Sequence, residues 1–77
     1  MGLGEIVARN LRRLREERDL SQDELGNRAG ITRNYVGMIE RRESSPSIDV
    51  IEKLAKALRV SPMTLFDEGS PRPRAMN

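Results

Sequence analysis

The chain has 77 residues, of which 34% are charged, a formal net charge of +2, and neither cysteine nor histidine. A chain of this length forms one domain with a modest core, and the missing residue types exclude disulfides, thiolate metal sites and the commonest general base. No apolar run is long enough to cross a bilayer and no signal peptide is recognisable, so we expect a cytoplasmic protein without a metal or cofactor.

The first predicted helix runs from about Leu3 or Glu5 to Arg18 and has one apolar face. Apolar residues recur there at helical spacing, namely Ile6, Val7, Leu11 and Leu14. The rest of the helix is charged and carries four arginines, Arg12, Arg13, Arg15 and Arg18. For Arg12, Arg13 and Arg18 we weigh a solvated helix face equally against contact with nucleic-acid phosphates.

Two short helices joined by a tight turn are predicted over residues 21–42. Ser21 and Glu24 have the spacing of a capping box, in which each side chain binds an unpaired backbone N–H at the helix start. Gly30 suits the left-handed conformation that ends a helix. Thr32 can cap the second helix, which we predict to continue to about residue 42.

The apolar residues of this segment predict that its two helices pack against each other. They are Leu25, Ala29, Ile31, Val36 and Ile39. The remaining face of the second helix is polar and basic, with Arg33, Asn34, Gly37, Met38 and Arg41. Long hydrogen-bond donors near the start of a helix suit one that lies in the DNA major groove. Gly37 we interpret as a tolerated surface glycine.

This segment resembles the phage repressor and Cro-type helix-turn-helix proteins, the Xre family. The resemblance rests on SQDELGNRAGI followed by TRNYVGMIERRESSPS, and it extends from about Val7 to Phe66. Gly26 departs from the family, which usually has alanine there, and glycine inside a helix costs roughly 1 kcal/mol relative to alanine. The resemblance implies an all-α, lambda-repressor-like bundle of five short helices, in which helices 2 and 3 form the helix-turn-helix.

The register with the family implies base contacts by Arg33, Asn34 and Met38. Arg33 can donate two hydrogen bonds to guanine, Asn34 can pair with adenine, and Met38 offers an apolar surface to a thymine methyl. The resemblance also implies a structural salt bridge between Arg15 and Glu40, which would tie the first helix to the recognition helix.

Phosphate contacts are expected around the same helices. Gln22 lies at the start of helix 2, where unpaired N–H groups attract anions. The other candidates are Tyr35, Arg41, Arg42 and Ser44. For Tyr35, partial packing on the domain surface is an equal alternative.

Two further helices complete the bundle, which we predict to occupy residues 1–68 and to be followed by a disordered tail over 69–77. Ser47 can cap a core helix that ends near residue 58, and Ser61-Pro62 can start a last short one. That last helix has too many apolar groups to bury by itself, so we expect Met63, Leu65 and Phe66 to form a homodimer interface. In the alternative, Leu65 and Phe66 close the core and Met63 is exposed.

These features predict a sequence-specific regulator that binds double-stranded DNA as a homodimer on a palindromic operator. The alternative is an antitoxin-type module that binds a partner protein and DNA together.

Other classes of function are disfavoured by the sequence. No set of residues has the spacing of a catalytic site, and no small-molecule ligand is expected. Membrane binding is disfavoured because the apolar stripes of the helices are needed for the core. RNA polymerase is a further candidate partner, through Glu40, Arg41 or Glu43. A phage switch, a restriction–modification controller and an antitoxin all fit, and activation is not distinguished from repression.

Overall fold

The computed structural model describes residues 2–69, most of which lie in five α-helices. These are α1 (Leu3–Glu17), α2 (Gln22–Ala29), α3 (Arg33–Glu40), α4 (Ile48–Leu58) and α5 (Pro62–Leu65). No strand occurs within residues 2–69. The predicted all-α bundle is therefore confirmed, whereas the predicted tail lies outside the described residues except for Gly69.

Hydroxyl side chains cap the starts of four helices, as their positions in the sequence predict. In the capping box of α2, the Glu24 N–H donates to Ser21 Oγ at 3.0 Å and the Ser21 N–H donates to Glu24 Oε1 at 2.8 Å. The caps of the three helices that follow are Thr32, Ser47 and Ser61. Each cap satisfies a backbone donor that the helix itself leaves unpaired.

The end of α3 differs from the prediction. The helix stops at Glu40, and Arg42 turns into the left-handed region with φ +64°. The N–H of Arg42 then donates to the carbonyl of Ile39 at 3.0 Å, and the N–H of Glu43 donates to that of Met38 at 2.7 Å. This pair of hydrogen bonds defines a Schellman motif, so the expectation that the helix continues to about residue 42 is wrong.

All five helices contribute to one apolar core. Its most deeply buried side chains are Ile6, Leu11, Leu25, Val36, Ile39, Leu54, Leu58 and Leu65. Leu65 is 0% exposed within the single chain, so its assignment to a dimer interface is wrong: the short α5 turns this side chain inward. Phe66 packs partly against the core, and Met63 remains 70% exposed.

Polar side chains in α1 and just after it bind backbone carbonyls of the C-terminal half. The buried Asn10 donates from Nδ2 to the carbonyls of Leu65 at 2.9 Å and Asp67 at 2.7 Å. Arg18 donates from Nε to the carbonyl of Leu58 at 2.8 Å, at the end of α4. Arg18 therefore links the end of α1 to the end of α4. Within residues 2–69, no helix is long and apolar enough to span a membrane.

Candidate nucleic-acid interface

The geometry of the interface starts at Gly26, where α2 passes close to the turn that leads into α3. A Cβ atom built on Gly26 would lie 2.7 Å from the carbonyl oxygen of Ile31 and 3.2 Å from the backbone nitrogen of Arg33. A side chain at this position would therefore meet backbone atoms. At the end of α2, Gly30 adopts φ +75° and lets the chain turn into α3.

A buried ion pair fixes α3 to the rest of the bundle. Arg15 donates from Nε to Glu40 Oε2 at 2.7 Å and from Nη2 to Glu40 Oε1 at 3.1 Å. The side chains of Arg15 and Glu40 are only 12% and 5% exposed. The hydrogen bonds that Arg15 donates to the Glu40 carboxylate raise the pKa of Arg15. The salt bridge that the family resemblance implies is thus present, and it links α1 to the last residue of α3.

Gln22 extends this network to α2. Its Nε2 donates to Glu40 Oε1 at 3.0 Å, so one carboxylate oxygen accepts from both Gln22 and Arg15. The amide of Gln22 is thereby oriented at the start of α2, and its second N–H is not committed to this bond. Glu40 is too buried to reach RNA polymerase, so that part of the partner prediction is wrong.

The outer face of α3 presents the three residues that we predict to contact bases. Arg33 and Asn34 are exposed, and Met38 is half-buried. Asn34 donates from Nδ2 to the Met38 sulfur at 3.5 Å, one helical turn away. The structure thus brings Asn34 and Met38 together and leaves Arg33 exposed at the first residue of the helix.

Gly37, in the middle of this face, is buried rather than exposed. A Cβ atom there would lie 2.8 Å from Arg41 Nη1 and 3.4 Å from Gln22 Oε1. Its interpretation as a surface glycine is therefore wrong, because the side chains of Arg41 and Gln22 cover it. Gly37 makes room for the guanidinium of Arg41 to lie along α3.

The other candidate phosphate ligands do not form one cluster. Arg42 lies beyond α3 and approaches α1, where its Nη1 is 3.4 Å from Glu5 Oε1. Tyr35 is half-buried and packs against the core, as the alternative to phosphate contact predicts. Ser44 is half-buried in the loop between α3 and α4.

Sequence reasoning missed the role of Glu43. Its two carboxylate oxygens accept hydrogen bonds from Arg41 Nε at 3.0 Å and Arg41 Nη2 at 3.1 Å. Opposite charges two residues apart at a helix end were the available signal. That signal is weak, because the contact requires the turn that Arg42 makes.

Comparison with known proteins agrees with this geometry. The helix-turn-helix family model HTH_3 matches residues 11–65 of the chain. Control protein C.SmaI from Serratia marcescens is 39% identical over 70 residues, which cover 90% of this chain and 83% of that protein. The crystal structure of the restriction-modification controller protein C.AhdI from Aeromonas hydrophila has a TM-score of 0.79 and 40% identity, over 82% of this chain and 96% of the other.

A structure determined with DNA is also similar. The P22 c2 repressor, crystallised with a synthetic operator, has a TM-score of 0.74 and 27% identity, over 80% of this chain and 94% of the other. The family match covers more than half of the chain and includes α2, the turn and α3. The chain therefore belongs to the HTH_3, or Xre-type, family of helix-turn-helix proteins, which are DNA-binding transcriptional regulators and not enzymes.

Proposed function

We propose that the chain acts in the cytoplasm as a homodimer on a palindromic double-stranded operator, with α3 in the major groove. The division of α3 into two faces carries this proposal. The inner face packs against the bundle through Val36, Ile39 and Glu40. The outer face exposes the side chains of Arg33 and Asn34 to solvent. A helix fixed on one side and lined with forked donors on the other can be presented to base edges with little loss of conformational freedom.

Base recognition is assigned to Arg33, Asn34 and Met38. The guanidinium of Arg33 can donate to O6 and N7 of guanine, and the amide of Asn34 can pair with N6 and N7 of adenine. The contact between Asn34 Nδ2 and the Met38 sulfur supports this assignment, because it restricts the rotation of the Asn34 amide before DNA arrives. The thioether then lies beside that amide, where it can contact a thymine methyl.

Phosphate contacts are assigned to Gln22, Tyr35, Arg41, Arg42 and Ser44. The strongest support concerns Gln22, which its bond to Glu40 orients at the N-terminus of α2. Arg41 and Arg42 are both more than half exposed, although each one already contacts a glutamate. Such contacts fix the register of the protein on the duplex and carry little sequence information.

The homodimer is assigned to the surface around Met63 and Phe66. Met63 is 70% exposed and is one of three large apolar side chains that are mostly exposed among the described residues. Phe66 borders a surface cavity of about 220 Å³ together with Leu3 and Ile48, which are 63% and 71% exposed. Burying these side chains between two copies removes apolar area from water. Contact with RNA polymerase is assigned to the exposed Arg41 and Glu43.

Selection from a pool of random duplexes at two salt concentrations tests this function. We expect an enriched motif with two-fold symmetry, whose half-sites are about one helical turn apart or a multiple of it. Enrichment without symmetry would contradict the dimer. Weak binding that depends strongly on salt and enriches no motif would contradict sequence-specific recognition, because it needs only electrostatic attraction to phosphates.

A further inference from the structure

Glu43 holds Arg41 in a forked contact just beyond the end of α3. Arg41 donates from Nε and Nη2 to the two carboxylate oxygens at 3.0 and 3.1 Å. The carboxylate thus occupies the Nε–Nη2 edge, one of the edges through which a guanidinium binds a phosphate with two parallel hydrogen bonds. The two side chains are 52% and 53% exposed, so the pair is accessible to a nucleic acid.

The other side of the guanidinium lies against α3. Nη1 would be 2.8 Å from a Cβ atom at Gly37, and Cζ would be 3.6 Å from it. Arg41 is therefore folded back along the helix over Gly37, and Glu43 covers its outer edge. In this arrangement a phosphate can bind the Nε–Nη2 edge only after Glu43 has released it.

We propose that Glu43 sets the DNA affinity of this chain by competing with DNA phosphate for Arg41. This inference rests on the proposed function, in which Arg41 is a phosphate ligand. Binding of DNA at this position is then an exchange of one anion for another, and the gain from the new contact is reduced by the loss of the old one. Since phosphate contacts do not read sequence, the carboxylate lowers affinity for operator and random DNA alike.

The competing group is charged under ordinary conditions. The hydrogen bonds from Arg41 lower the pKa of Glu43, so its carboxylate is ionised at neutral pH. A carboxylate that remained near the DNA would also repel the phosphates. Both effects act in the same direction, and both disappear when glutamine replaces the glutamate with nearly the same shape.

A double-mutant cycle tests the inference. Binding of the full chain to a selected operator and to a scrambled duplex is measured by fluorescence anisotropy at several salt concentrations, for wild type, Glu43→Gln, Arg41→Ala and the double variant. We expect Glu43→Gln to raise affinity for both duplexes about two- to five-fold, the range that corresponds to an exposed ion pair. Arg41→Ala should lower affinity for both and reduce the salt slope by about 0.9.

The coupling between the two residues decides the result. In the Arg41→Ala background, Glu43→Gln should keep only the smaller gain from removing a negative charge near the phosphates, because there is no longer a guanidinium to release. The matched control is Glu52→Gln, which removes the same charge from the exposed face of α4 and should leave affinity nearly unchanged. Thermal unfolding of each variant confirms that it is folded.

Three results would overturn the inference. An equal gain for Glu43→Gln with and without Arg41, or for Glu52→Gln, would show a general effect of charge. A loss of affinity for Glu43→Gln would show that the glutamate positions Arg41 for DNA. An Arg41→Ala variant that binds as wild type would remove the phosphate contact while leaving the proposed function intact. If wild type selects no motif, the proposed function fails and this inference fails with it.

Discussion

Two arginine–glutamate pairs lie at the end of α3, and their hydrogen-bond geometries are nearly the same. Arg15 binds Glu40 at 2.7 and 3.1 Å, and Arg41 binds Glu43 at 3.0 and 3.1 Å. They differ in burial, since the first glutamate is 5% exposed and the second 53%. Burial strengthens an ion pair against exchange with solvent and makes the loss of one partner costly, whereas an exposed pair contributes little to stability.

The comparison separates two uses of the same chemistry. The buried pair joins two residues that are 25 positions apart in the sequence, and its carboxylate also accepts a hydrogen bond from Gln22. It therefore fixes the position of α3 against α1 and α2. The exposed pair joins neighbours two residues apart, so it can open without moving a helix. We therefore expect substitutions in the first pair to affect folding and substitutions in the second to affect DNA binding.

Glu40→Ala is expected to have the largest effect on stability. It leaves Arg15 nearly buried without its partner, which should lower the free energy of unfolding by about 3 kcal/mol. Urea denaturation followed by circular dichroism measures the loss. In the matched variant Glu43→Ala the loss should not exceed about 1 kcal/mol. Equal losses of stability in the two variants would show that burial does not determine how much each ion pair contributes.

Joint replacement of the buried pair sharpens this prediction. If the cost of Glu40→Ala comes from an unpaired charge, the double variant Arg15→Met, Glu40→Leu should recover most of the lost stability. The urea midpoint of the double variant measures this recovery. A double variant as unstable as Glu40→Ala would show that shape or the bond to Gln22, and not charge, determines the loss.

Two glycines of the helix-turn-helix, Gly26 in α2 and Gly37 in α3, provide the second test, with opposite signs. Alanine at Gly26 would meet backbone atoms of the turn, so we expect Gly26→Ala to destabilise the domain by about 1–2 kcal/mol despite its better helix propensity. Alanine at Gly37 meets the movable end of Arg41 and touches Gln22 Oε1 at 3.4 Å, both side-chain atoms, so Gly37→Ala should be neutral or stabilising by up to about 1 kcal/mol. Thermal unfolding measures the change in stability of each variant. A loss of stability in both variants, or a gain in both, would contradict the different surroundings of the two glycines.

Residues that act within one turn of a helix were predictable from sequence. The capping box of Ser21 and Glu24, the cap at Thr32 and the left-handed Gly30 all depend on neighbours a few residues away. Hydroxyl and glycine positions carry that information directly. Periodicity and resemblance together also placed α3 and its outward face.

Features that depend on tertiary packing were not predictable in the same way. The helix α3 ends at Glu40 because the chain turns left-handed at Arg42, a non-glycine residue that sequence does not mark for this conformation. The burial of Gly37 and Leu65 and the bonds of Asn10 depend on side chains that arrive from elsewhere in the chain. Amphipathic spacing cannot distinguish a core residue from an interface residue in a helix as short as α5.

Substitutions that leave both ion pairs intact should separate base reading from phosphate binding. Arg33→Ala should cost about 1–3 kcal/mol on the selected operator and relax specificity at one base step. Arg42→Ala should weaken operator and random DNA about equally and reduce the salt slope by about 1. Competition binding against a library of single-base variants measures both effects. If Arg33→Ala weakened cognate and random DNA equally, its assignment to base reading would be wrong.

The capping box should produce the smallest effect, and one that depends on pH. Hydrogen bonds from the backbone and hydroxyl of Ser21 lower the pKa of Glu24, so its ionised form contributes stability above the unfolded pKa. That contribution is lost as the pH falls through the lowered pKa, below the value of about 4.3 usual for glutamate. Glu24→Gln should therefore melt slightly lower than wild type at pH 7, and the gap should close below that range. A gap that is constant with pH would contradict the capping role of the carboxylate.

Presentation of α3 to the major groove is tested most directly by replacing single guanines of the selected operator with 7-deazaguanine. This change removes the N7 acceptor in the major groove and leaves the minor groove unaltered. We expect wild type to lose affinity at one guanine of each half-site, and Arg33→Ala to lose no more at that position. Full affinity for every substituted operator, with sensitivity only to changes in the minor groove, would contradict the placement of α3.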